Sequence, residues 1–160
     1  MSVARERCLW RVLPRADADW PALLDLWVRA WRSIYEDIDF DARRDWLVAH
    51  VAALEAKGAA TLLLFEEAGP APAGFVTIDP ASGWLDQICV RPDLFGAGAG
   101  QALIGAARSV SPARVRLDVN ADNARAIRFY EREGFRCVGE GSTSFSGRST
   151  VVMEWRAQEA

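Results

Sequence analysis

Three glycines alternate at Gly96, Gly98 and Gly100, directly after the apolar run Leu85–Val90 and directly before Leu103 and Ile104. Glycine lets a backbone approach a ligand closely. The first N–H groups of a helix have no internal acceptor and lie at the positive end of its dipole. A strand, a glycine turn and a helix start therefore make a cradle for a phosphate or pyrophosphate that needs no charged side chain. A second set lies downstream: Asn123 and Tyr130 are seven residues apart, two helical turns, and so share one face. Asp86 and Asp118 bring carboxylates to two strand-like runs.

Two common phosphate motifs fail on this segment. No Gly-Lys-Ser/Thr follows the glycines, so it is not a P-loop. A dinucleotide fingerprint needs a sixth-position glycine, and the two frames offer Gln101 and Leu103. The loop also falls mid-chain, whereas a dinucleotide fold places it in the first βα turn. Close packing of strand on helix is the structural alternative for the same glycines.

The elements around these residues follow from periodicity and turn chemistry. Leu9–Leu13 alternates weakly as a first strand. A helix capped by Asp17 or Asp19 runs to about Tyr35 and carries Trp27, Trp31 and Tyr35 at i, i+4, i+8. A second helix starts at Asp41, presents Trp46, Leu47, Val51 and Leu54, and stops at Gly58. Strands follow at 61–65, 74–78 and 84–90, with Gly/Pro turns between them. The glycine loop leads into a helix over 98–109. A strand at 115–119, a helix at 123–133 closed by Gly134, and strands at 135–140 and 151–155 complete the chain. The Ser/Thr/Gly-rich stretch 141–150 links the last two. That order gives a mixed α/β sheet.

With 160 residues, no internal repeat and no linker, one domain over 1–160 is expected. A net charge of −3 argues against nucleic-acid binding. No apolar run approaches the ~20 residues of a membrane span, and no signal peptide is visible. Cys8, Cys89 and Cys137 are scattered and odd in number, which fits reduced thiols in a cytoplasmic protein and no metal site. His50 is the only histidine, so a histidine-based triad is not expected, and it reads as a surface or half-buried helix residue.

The run Leu117-Asp118-Val119-Asn120-Ala121-Asp122-Asn123-Ala124-Arg125-Ala126-Ile127-Arg128-Phe129-Tyr130-Glu131-Arg132-Glu133-Gly134-Phe135 resembles the hallmark L-x-V-x-x-x-N-x-x-A-x-x-F/L-Y-x-x-x-G-F of the Gcn5-related N-acetyltransferases (GNAT). The run from Val90 to Gly100 resembles the same family's loop V-x-P-x-x-R-G-x-G-x-G/A, in the family's order and spacing. The resemblance implies the GNAT-like acyl-CoA N-acyltransferase fold. This is an α/β architecture with a mostly antiparallel central sheet, splayed middle strands and flanking helices. It implies acetyl-CoA as cosubstrate, no metal, and direct acetyl transfer to a primary amine in a ternary complex. The alternative is a catalytically silent acyl-CoA-binding module or sensor. The acceptor stays open between a small amine and a peptide N-terminus or lysine, and a homodimer is admitted.

Under the resemblance, the cofactor arm pairs with backbone near Ile88, Cys89 and Val90. The pyrophosphate sits on N–H groups of Phe95, Gly96, Ala97, Gly98, Ala99, Gly100 and Gln101. Asn123 contacts the cofactor, with a helix cap as its alternative. Tyr130 returns a proton to the departing thiolate, with a core tyrosine as its alternative. That transfer is uphill by roughly 2 kcal/mol from a phenol of pKa ~10 to a thiol of ~8.5. Asp86, read in phase with Trp84, Ile88 and Val90, or Asp118 takes the proton from the acceptor amine; an ion-paired or solvated strand residue is the alternative for each. Trp31 and Tyr35 wall the acceptor pocket or pack the core. Arg125, Arg128 and Arg132 form a solvated stripe, one of which can reach the cofactor's ribose phosphate. Cys89 as a nucleophile is disfavoured. Relatives carry Arg or Gln where this chain has Phe95, so weaker or differently shaped phosphate binding is expected.

Overall fold

The strand Pro72–Ile78 is buried at every position, because it lies inside a sheet covered on both faces. The computed structural model describes residues 10–144 and 146–158, so Cys8 and Leu9 fall outside it. In chain order the elements are β1 (Trp10–Pro14), α1 (Trp20–Arg32), α2 (Arg44–Ala56), β2 (Ala60–Glu66), β3 (Pro72–Ile78), β4 (Leu85–Val90), α3 (Ala99–Val110), β5 (Arg114–Asn120), α4 (Ala124–Arg132), β6 (Arg136–Glu140) and β7 (Thr150–Arg156).

The strands form two antiparallel sheets, β1-β2-β3-β4 and β5-β7-β6. One isolated parallel bridge, Trp84 to Arg116, joins them among the described residues. Beyond that bridge β4 and β5 part, as the family resemblance implies.

Neighbouring residues of the central strands feed opposite cores. Leu63 and Phe75 pack with Leu23, Leu26, Trp27, Leu47 and Val51 on the α1/α2 face. Leu64 and Val76 pack with Leu103, Ile104, Val115, Leu117 and Met153 on the α3/α4 face. This is the two-residue period of a strand, expressed as an almost continuous apolar run because both faces are covered. Each fully buried Leu or Phe contributes ~1.5–3 kcal/mol through burial.

Three local features differ from expectation. Helix α1 ends at Arg32, not Tyr35, where the Ser33 hydroxyl donates to Ala30 O at 2.6 Å. Such a bond competes with the helical ladder. The Tyr35 N–H still reaches Trp31 O at 2.9 Å, so the aromatic spacing survives in a turn. Before α2, Asp41 binds Arg44 and Arg32, while Asp39 accepts the Ala42 N–H. Finally, β4 carries a bulge: Ile78 faces Leu85 but Thr77 faces Gln87. Asp86 is the extra residue, and a bulge of this kind re-aims a side chain.

Candidate active site

The gap between β4 and β5 is the floor of a cavity of about 800 Å³. Arg91 N–H bonds back to Ala73 O at 2.8 Å on β3. By strand alternation the N–H groups of Ile88 and Val90 then point away from β3, into the gap. On the other side Arg116 N–H bonds to Gly83 O and Ala121 N–H to Ser149 O. The Asp118 and Asn120 amides therefore face the gap as well. Two strand edges with unspent hydrogen-bonding groups border one cleft, and an extended chain carrying amides fits between them.

At the end of the gap the chain enters the glycine loop. Gly96 and Gly98 take φ of +81° and +95°, a region that L side chains rarely enter. Gly98 caps α3, whose first internal bond runs from Ala102 N–H to Gly98 O. The Phe95 and Ala97 amides are spent on Pro92 O and Leu94 O. The N–H groups of Gly96, Gly98, Ala99, Gly100 and Gln101 have no acceptor among the described residues, so five of the seven loop amides are open. Phe95 is exposed, and the Arg125 guanidinium of α4 lies 4.4 Å from its ring centre. That arginine is exposed and also lines the cavity, the one of the stripe that the contact with Phe95 brings to the loop.

Tyr130 reaches the cavity from α4 and is otherwise buried, with Phe129 and Phe135 at ring distances of 5.3 and 5.5 Å. Its hydroxyl has no hydrogen-bond partner among the described residues. Burial, reinforced by the charge of Asp118, pushes the phenol pKa up. Asn123 caps α4, its Oδ1 accepting the Ala126 N–H at 3.2 Å. Its amide nitrogen stays available, and the residue lines the cavity.

The two carboxylates lie across the gap from one another. Burial raises the Asp118 pKa, and the charge of Asp86 adds to the rise. Asp86 is out of phase with Ile88 and Val90, contrary to the alternation expected for this strand. Those two pack on the α3 side. The bulge instead delivers Asp86 to α2, where its Oδ2 lies 2.7 Å from His50 Nε2. Sequence reasoning set His50 aside; its i, i+4 spacing from Trp46 was the available signal, and the two rings stack at 4.6 Å.

An aromatic wall completes the cleft. Trp31 stacks on Tyr35 at 6.0 Å and on Phe40 at 5.9 Å, and all three line the cavity. The Tyr35 hydroxyl accepts from Asn120 Nδ2 at 2.8 Å and donates to Asp122 Oδ1 at 3.1 Å. Arg148, from the loop joining β6 to β7, binds Asp122 at 2.7 Å and lies 4.2 Å from the Tyr35 ring centre. Trp27 packs in the core with Phe40. The Cys89 thiol is buried on the α1/α2 side, where desolvation pushes its pKa up and disfavours the thiolate. Among the described residues no cluster of three His, Cys, Asp or Glu side chains could hold a metal, and no helix is long and apolar enough to cross a membrane. Chemically, the cleft offers amides for an extended arm, a phosphate cradle, a protonated phenol and two carboxylates beside an aromatic pocket.

Residues 20–135 match the family described as Acetyltransferase (GNAT) family. The chain is 30% identical over 82 residues to the peptidyl-lysine N-acetyltransferase YjaB of Escherichia coli strain K12. That alignment covers 51% of this chain and 54% of the relative, so the chain spans about half the length of the curated relative it matches. Among solved structures, apo-form YjaB from Escherichia coli superimposes with a TM-score of 0.70 at 19% identity, over 91% of this chain and 97% of that one. The PaiA N-acetyltransferase from Thermoplasma acidophilum, in complex with coenzyme A, gives 0.72 at 15% identity, over 93% and 99%. At these identities the superpositions speak for the fold.

Proposed function

This chain belongs to the acetyltransferase (GNAT) family, and from that membership we propose that it moves an acetyl group from acetyl-CoA to a primary amine by direct attack in a ternary complex. The observation that carries the reading is the continuity of the cleft: outward-facing amides of Ile88 and Val90 run straight into the five free amides of the glycine loop. That is the polarity of a pantetheine arm ending in a pyrophosphate.

Bound there, acetyl-CoA supplies an activated acyl group. The Ile88 and Val90 N–H groups face the arm, where one pairs with an amide carbonyl of the arm and the other polarises the thioester carbonyl. The amides of Gly96 and Gly98 to Gln101 hold the pyrophosphate, and Arg125, braced on Phe95, adds a cation beside it. Asn123 turns its free amide nitrogen to the cofactor. Trp31 and Tyr35 line the acceptor side. Asp86 or Asp118 takes a proton from the acceptor ammonium, and Tyr130 gives its own to the leaving thiolate. A phenol raised by burial is a reluctant acid in water, but a thiolate in the same apolar wall is raised too, so the transfer becomes more nearly balanced.

The acceptor class we favour is a peptide amine, lysine or N-terminal. The support is the peptidyl-lysine N-acetyltransferase named among the relatives and a cleft whose far wall is aromatic and acidic, suited to an ammonium on an alkyl stem. CoA release should be followed with blocked-lysine peptides, free N-terminal peptides and small polyamines. Turnover on a peptide supports the reading. CoA binding without turnover on any amine leaves a silent acyl-CoA-binding module, and no CoA binding at millimolar ligand in a calorimeter rejects both. Tyr130→Phe should keep CoA affinity and lose on the order of 10²–10⁴ in kcat; undiminished turnover would reject the acid role.

A further inference from the structure

Asp86 carries both of its protein hydrogen bonds on one oxygen. His50 Nε2 lies 2.7 Å from Oδ2, and Gln87 Nε2 donates to the same Oδ2 at 3.1 Å. Oδ1 has no donor among the described residues, and Asp86 lines the cavity. For Asp86 to act as a base its carboxylate must accept here, and the pairing then requires Nε2–H on His50. The imidazole is itself held: it stacks on Trp46 one turn earlier, with rings within 12° of parallel. The Arg43 guanidinium lies over the same Trp46 ring, 4.7 Å from its centre. The helix below is anchored by the fully buried Leu47 and Val51. Neither partner belongs to bulk surface, with side-chain exposures of 31% for His50 and 18% for Asp86. Asp118 on β5 also faces Asp86, with the Tyr130 phenol beyond it.

We propose that Asp86, through Oδ1, is the group that deprotonates the acceptor ammonium, and that His50 is its positioning residue. The assignment rests on the acetyl-transfer reading above and selects between its two carboxylates. An N–H bond of the ammonium breaks, its electron pair stays on nitrogen and the proton passes to Oδ1. The Nε2–H of His50 stays on Oδ2 throughout, so the carboxylate cannot rotate away from the cleft. The neutral amine then attacks the thioester carbonyl and the C–S bond breaks. Tyr130 protonates the departing thiolate and regains a proton from the new amide nitrogen, which sheds its second one, and the proton on Asp86 leaves to water after product departs. Asp118 has no such brace: no side-chain donor reaches its carboxylate among the described residues.

Because the chain has a single histidine, its ring nitrogens can be read directly by ¹⁵N–¹H correlation at a pH where the ring is neutral. The Nε2–H tautomer is expected in the native protein, with a changed pattern in Asp86→Asn. A native Nδ1–H tautomer, or a pattern indifferent to Asp86→Asn, overturns the pairing, and this readout needs no acceptor. With an Nα-blocked lysine peptide as acceptor, His50→Ala should lower kcat roughly 10- to 100-fold and leave KM for acetyl-CoA unchanged. His50→Gln, which keeps an N–H donor in reach of Oδ2, should restore most of the loss. Asp86→Asn should lose on the order of 10²–10⁴, and adding His50→Ala to it should cost nothing further, since the two act as a unit. Independent, multiplying losses, or a full rate in Asp86→Asn, reject the assignment. Absent turnover by the native protein counts against lysine-directed acetyl transfer, and the tautomer then decides the pair alone.

Discussion

Phe95 brings no charge to the glycine loop but packs against one. Its exposed ring lies under the Arg125 guanidinium, so under the proposed reading the pyrophosphate meets a cation from α4 where the family motif has Arg or Gln on the loop. A cation over an exposed ring gains ~0.5–1 kcal/mol. Arg125→Ala should weaken CoA binding about five- to tenfold in calorimetry, with a difference that shrinks as salt rises. Phe95→Ala should reproduce part of that loss, and the double variant should add little. A second residue-scale consequence concerns Asp118. Its folded-state pKa is raised by burial and by Asp86, so the folded protein binds its proton more tightly than the unfolded chain. That contribution to stability is full below the unfolded pKa and disappears as pH rises through the folded one. Asp118→Asn should therefore raise the melting temperature at pH 7 and lose that advantage on acidification; an equal gain at pH 3 would contradict it.

At the scale of elements, β4 does the positioning. It is held against β3 so closely that a Cβ on Gly74 would meet Cys89 O at 2.6 Å and a Leu103 methyl at 2.8 Å. The first is backbone and cannot swing aside. Gly74→Ala should cost about 1–3 kcal/mol as overpacking, measured by denaturant midpoint, and should also weaken CoA binding by displacing the Ile88 and Val90 amides. Periodicity and turn residues revealed the strand, the loop and the α4 helix, because each is a local pattern. The bulge was not legible: nothing in Leu85-Asp86-Gln87 says that the partner strand skips a step. Strict alternation placed Asp86 with Ile88 and Val90, and the skipped step turned it to His50. The 36-residue separation of that pair hid it for the same reason. Asn123 and Tyr130 were legible because one helix contains both. The Arg148–Tyr35–Asp122 cluster was not, since three separate segments meet in it.

For the whole molecule, two sheets share the α3/α4 core but only one strand-to-strand bridge among the described residues. A ligand that fills the remaining cleft binds the folded state alone. At a hundred times its Kd, CoA should add ~2.7 kcal/mol, read as a rise in melting temperature of roughly 5–10 °C for a chain of this size.

The Trp84–Arg116 bridge also dictates where hydrogen exchange should be uneven. Along β4 the amides alternate between partnered and open. In the free protein Cys89 and Arg91 should exchange slowly, while Ile88 and Val90 between them exchange near the rate of an unprotected edge. A pantetheine arm in the gap should turn that alternating pattern into continuous protection, which makes one peptide spanning β4 a reporter of cofactor occupancy that depends on neither acceptor nor turnover.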